Sequence, residues 1–196
     1  MPLWGATDAD ESKPKWLTTA QKKEVFANTT GWVVEGGSTM TGNDNTSAAP
    51  EILAAIGGLT TKIGAADVTD VEWITTAADK SAGFTLSIRV RYNEAVTVTG
   101  SPTLAVTNGN QGSGSGRGPH TLVYASGTGT NELVFSLAIA ANNAATNAND
   151  VLTVAAQNIA KPGGATMKDT ADGTTNAAVA ISGAQGTACG SITVVA

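Results

Sequence analysis

The feature that most constrains this chain is a strict alternation. Phe84, Leu86, Ile88, Val90 and Tyr92 are apolar, and Thr85, Ser87, Arg89 and Arg91 stand between them. Successive side chains of a strand point to opposite faces, so a period of two gathers the five apolar groups on one face and the polar groups on the other. Leu133, Phe135, Leu137 and Ile139 repeat the pattern around Val134, Ser136 and Ala138, and shorter alternations occur at Val71 and Trp73, Val96 and Val98, Leu104 and Val106, Leu122 and Tyr124, Leu152 and Val154, and Ile192 and Val194. Between them stand turn formers, among them Gly100-Ser101-Pro102, Asn108-Gly109, Ser126-Gly127 and Asp172-Gly173. About eight short strands with no convincing amphipathic helix among them predict an all-β sandwich. One apolar and one polar face per strand predicts antiparallel sheets, each wet on its outer face.

The N-terminal third has a different texture. Residues 1–66 hold Trp4, Trp16 and Trp32 and most of the lysines, with few apolar residues for a core of their own. A short helix is expected over residues 18–27, capped by Thr18 or Thr19, with Leu17 packing across it on Val25 or Phe26. Trp32-Val33-Val34 reads as a short strand, followed by a loop rich in Gly, Ser, Thr and Asn. A segment this small is marginal alone. Residues 1–66 are therefore expected to be an arm ordered by lying on something else, with residues 67–196 as the β domain. The alternative is a small subdomain packed on the β domain, in which the tryptophans are core residues.

Few side chains are available for chemistry. Charged residues make up 14% of the chain, against roughly 25% in an average globular protein. The single cysteine, Cys189, cannot close an internal disulfide and has no basic neighbour to activate it, so a small buried residue is expected. The single histidine, His120, begins a strand with no local nucleophile or orienting carboxylate and is expected at a surface strand edge. No catalytic residue, metal site or cofactor is expected. Asp169-Thr170-Ala171-Asp172-Gly173 holds part of a calcium-loop pattern, but two acids fall short of the oxygens calcium needs, and turn-forming aspartates account for it more simply. Residues 108–119 include five glycines but lack the strand, helix and lysine of a phosphate loop, and read as a long hairpin connection.

Net charge is −5, and the eleven Lys and Arg read as scattered, which gives no nucleic-acid footprint. The acidic opening has no apolar signal core, and no apolar run approaches a membrane span. Synthesis in the cytoplasm, with no membrane partner, is the expectation.

Two stretches resemble known families. Tyr92, Glu94, Val96, Val98, Gly100, Pro102 and Leu104, followed by Tyr124, Ser126, Gly127, Gly129, Leu133 and Phe135, are similar to the bacterial immunoglobulin-like repeats of surface adhesins and phage virion proteins. Asp150, Leu152 and Val154, and then Met167, Asp169, Ala171 and Gly173, take the last places of that pattern, which spans roughly residues 70–180. Tyr92 stands where Phe is usual, and the glycine-rich insertion is a departure. Met1-Pro2-Leu3-Trp4-Gly5, Lys13-Pro14-Lys15 and Thr30-Gly31-Trp32-Val33 resemble the opening of short structural proteins of marine tailed phages, cyanophages especially. Together these resemblances imply an immunoglobulin-like β domain carried outward on a phage particle, most naturally as a head decoration protein. They also imply virion localisation, and partners among capsid or other virion proteins, further copies of the chain, or host-surface glycans. Trp4, Trp16 and Trp32 would be the partner-binding anchors, since aromatic residues dominate interface energetics. A neck or tail location, or a surface adhesin or carbohydrate-binding module, is the competing implication.

Overall fold

The long alternating segment becomes the spine of the molecule. The computed structural model describes residues 13–55, 65–109 and 119–196. Phe84–Thr99 form β6, a single strand of 16 residues. On one side β6 pairs antiparallel with β4 (Val68–Trp73), placing Val71 opposite Val90 and Trp73 opposite Ile88. On the other it pairs antiparallel with β9 (Thr130–Ile139), placing Leu86 opposite Leu137 and Ile88 opposite Phe135. From β9 the sheet path continues through β8 (His120–Ser126), β7 (Thr103–Gly109), β10 (Val151–Thr153), β14 (Ser191–Val195) and the two-residue β5 (Ala78–Asp79). β11 (Gln157–Asn158) and β13 (Ala180–Ile181) form a separate small pair. The protein is all-β, and among the described residues its ladders are antiparallel apart from short parallel contacts of β5 with β14 and of β6 with the first N-terminal strand.

The apolar face behaves as its period requires. Leu86, Ile88, Val90, Tyr92, Leu133 and Phe135 are sealed from solvent, and the same core takes residues from β4 through β10 and from β12 (Thr166–Asp169) through β14. Tyr92 fills the Phe place at no polar cost, because its hydroxyl donates to the Ala178 carbonyl at 3.1 Å. Val96 and Val98, expected in a strand of their own, continue β6 beyond a register shift after Arg91 and pair with β12. The polar residues at that shift stay inside because they are bonded: the Asn93 side-chain oxygen accepts the Asp67 amide at 2.6 Å.

A second helix, α2 (Gly183–Cys189), departs from the expectation of strands alone. Ser182 and Gln185 cap it reciprocally, at 3.2 and 2.7 Å, and the Gln185 amide nitrogen donates to the Val68 carbonyl at 2.7 Å. Gly186 lies so close to the Val154 carbonyl that a Cβ would collide with it. Tertiary contact therefore outweighs the weak helix propensity of this glycine-containing segment.

The N-terminal residues form a module that extends the same sheet beyond β6 by three further strands. Thr18 and Gln21 make a capping box, at 3.2 and 2.9 Å, that opens α1 (Thr19–Lys23). The helix stops four residues before the expected end at 27. Residues 25–28 instead form β1 (Val25–Asn28), hairpinned to β2 (Gly31–Val34), with Asn28 accepting the Thr30 amide at 2.8 Å in the turn. As a strand the segment turns Val25 and Ala27 into the small core with Trp32, while Phe26, on the opposite face, is covered as well. β3 (Glu51–Ala55) adds to the free side of β2, and β1 meets β6 through Ala27 opposite Glu94. Leu17, Val25, Ala27, Trp32 and Val34 make a small separate core.

Candidate docking surface around the N-terminal module

Alternation predicts that Arg89 and Arg91 lie on a wet face, but the structure covers Arg91. It is 5% exposed, because the N-terminal module lies over the outer face of β6 at this point. One Arg91 nitrogen, Nη1, donates to the Lys23 carbonyl at 2.7 Å and to both Glu35 oxygens at 3.0 and 3.1 Å; Nε reaches Glu72 at 3.1 Å, and Nη2 lies 2.8 Å from Glu132. Arg89 adds contacts to Glu72 at 3.2 Å and to Glu132 at 3.5 Å. A second tie joins Lys23 of α1 to Asp70 of β4 at 2.8 Å. Burial by itself would lower the Arg91 pKa, but Glu132, Glu35 and Glu72 outweigh it and push it up. Glu132 is held above the usual carboxylate range by burial and by Glu35 beside it, against the pull of Arg91 and Arg89. Arg91 therefore clamps a strand of the β domain to both the helix end and the hairpin of the module.

Two clefts flank this seam. One, of about 730 Å³, is lined by Glu24, Glu35, Arg89, Arg91, Thr130 and Glu132, so opposite charges face one another across it. The other, of about 650 Å³, lies beside α1 and is lined by Lys13, Lys15, Lys22 and Lys23 together with Asp67 and Asp70. The basic residues that read as scattered are thus partly gathered: a helix of five residues brings two chain neighbours, Lys22 and Lys23, beside Lys13 and Lys15. Lys13 donates to the Lys22 carbonyl at 2.6 Å. Burial, and then Arg91 close by, lower its pKa to about 8.

The three candidate anchors separate. Trp32 is fully buried in the core of the module and presents no surface. Trp16 is 69% exposed, between Lys15, which lines the lysine cleft, and Leu17, which is buried. Trp4 and most of the glycine-rich loop lie outside the described residues.

His120, expected at a surface edge, is buried instead, with Nε2 3.2 Å from the Thr146 hydroxyl; burial lowers its pKa against the pull of Asp150. It shares the inward face of β8 with Leu122, two residues on, so the alternation itself carried the signal. Cys189 is partly buried, and burial pushes its thiol up to about 11. Asp169 and Asp172 act as turn formers: Asp169 accepts the Ala171 amide at 2.7 Å, and Asp172 accepts the Thr174 and Thr175 amides at 2.9 and 2.8 Å and the Thr175 hydroxyl at 2.6 Å. Among the described residues no three His, Cys, Asp or Glu side chains converge on a metal position. No family model matches the chain, and comparison with curated proteins and with solved structures returns no match.

Proposed function

We propose that this chain is a structural protein of a phage virion, a head decoration subunit. Residues 67–196 form an immunoglobulin-like antiparallel sandwich carried outward, and residues 1–66 attach it to the particle. The observation that carries this reading is Trp16: a large apolar side chain left 69% exposed in a module that seals its other described tryptophan. An exposed indole suits a contact anchor, since Trp is among the side chains that supply the central contacts of many interfaces. Many copies on one particle would add weak individual contacts through effective concentration.

Mass spectrometry of purified particles, followed by a cryo-EM map, tests the reading. Density for residues 13–55 against the major capsid protein, with the β domain outside, is the expected result. Density at the neck or tail keeps the virion role and moves its place, whereas absence of the chain from particles overturns the role. Trp16→Ala is a cleaner probe of attachment than deletion of residues 1–30. That deletion removes β1 and the Lys23 carbonyl and so disturbs the Arg91 clamp.

A further inference from the structure

The composition of the lysine cleft exceeds what holding the fold requires. The cleft takes four of the eleven basic residues of the chain and two of its sixteen acidic ones, in a protein whose net charge is −5. Lys23 is matched by Asp70 at 2.8 Å, but among the described residues no carboxylate pairs with Lys15 or Lys22. Lys13 is drawn inward onto the Lys22 carbonyl, with Arg91 of β6 behind it. The groups acting on Lys13 come from every element around it: Arg91 and Lys22 repel its charge, and Asp70 and Glu35 attract it without compensating for burial. Burial is the main cost to the Lys13 charge and Arg91 adds to it, so a carboxylate arriving in the cleft would favour the charged form.

We propose that this cleft binds an acidic segment of a partner protein, with carboxylates on Lys13, Lys15 and Lys22 and an apolar contact on the adjacent Trp16. Three features favour a peptide over a small inorganic anion. The cleft, at about 650 Å³, has room for several side chains. Its ammonium groups are separate point charges on flexible stems, without a guanidinium fork shaped for one phosphate. Trp16, exposed and next in sequence to the cleft residue Lys15 though not itself part of the lining, offers nothing to phosphate but gives a longer peptide apolar area to bury. The inference rests on the attachment role proposed above and names the chemistry of the surface to which the module attaches. Carboxylates arriving at Lys13 favour its charged form, so the affinity falls as pH rises past about 8.

The test is fluorescence anisotropy of a short fluorescein-labelled peptide of Glu and Ala, titrated with the full chain at low salt. The same peptide with Gln for Glu is the control, and inorganic phosphate is the competitor. Saturable binding is expected for the Glu peptide alone. It should weaken by about tenfold in a Lys15→Glu, Lys22→Glu double variant, equivalent to ~1.4 kcal/mol, and weaken measurably in Trp16→Ala. Lys15 is exposed and Lys22 half-buried, and an unchanged melting midpoint confirms that the fold is kept. Absence of binding, equal binding of the Gln peptide, or indifference to the double substitution overturns the inference. Displacement by phosphate at matched charge concentration reduces the site to a general oxyanion site and overturns the peptide assignment. Failure here with particle attachment retained leaves the virion role standing, and the converse result leaves the acidic-segment site standing.

Discussion

The β domain and the N-terminal module keep their order by different means. The β domain has one core running through β4 to β10 and β12 to β14, built from residues that recur at a period of two. Among the described residues the module's core cluster is Leu17, Val25, Ala27, Trp32 and Val34, with Phe26 and Val33 buried beside it, and the module is fastened to the domain by the Arg91 clamp and the Lys23–Asp70 pair. Apolar burial is non-directional and tolerant, whereas a buried guanidinium with three carboxylate partners holds one arrangement and fails when a partner is lost. The domain is therefore the stable platform, and the module is a presented element held by a few polar ties, chiefly those of Arg91, and by the short β1–β6 contact.

The largest effect should come from the shared core. Phe135→Ala should destabilise the whole chain by about 3–5 kcal/mol, read by urea denaturation, because β9 supports β6 and β6 carries both regions. A loss under about 1 kcal/mol would show that the cavity collapses without cost and that the core is looser than its burial indicates. Trp32→Ala should cost about 3 kcal/mol or more locally. Its signature is loss of amide protection in β1 and β2 while β7 to β10 stay protected. Equal loss everywhere would erase the distinction between the two regions.

Arg91→Met sharpens the comparison. Removing one member of a buried ionic cluster typically costs about 3–5 kcal/mol. Water reaches the partners here, with Glu35, Glu132 and Glu72 side chains 20%, 26% and 30% exposed, so about 2 kcal/mol is expected. Hydrogen exchange should quicken in residues 19–34 first. The smallest effect is a slope. Glu132 has its pKa raised from the ordinary 4.5, chiefly by burial. Just above that ordinary value the folded chain therefore keeps a proton that the unfolded chain has released, and stability falls as pH rises through this window. Glu132→Gln keeps an acceptor for Arg91 and should flatten this part of the melting-midpoint curve; an unchanged slope would place the titration elsewhere.

What could be read from the chain divides along the same line. The inward face of every long strand was legible, since Phe84 to Tyr92 and Leu133 to Ile139 state it in their period. The fate of the outward face was not. Arg89 and Arg91 look like a solvated row until Glu35, 56 residues earlier, folds onto Arg91, and no local pattern announces a contact over that separation. Residue type hid His120, whose position in the alternation was inward all along. The capping pairs Thr18 with Gln21 and Ser182 with Gln185 were readable signals for both helices, but the early end of α1 depends on what Val25 and Phe26 pack against. The lysine cleft was half legible: Lys13, Lys15, Lys22 and Lys23 are close in sequence, and only the fold shows that they face one space.

Hydrogen exchange of the chain free and bound to the phage particle tests the central claim most directly. The account predicts new protection in residues 13–23, around Trp16 and the lysines, with β7 to β10 unchanged. Protection confined to the β domain, with residues 13–23 exchanging as in the free chain, would contradict it.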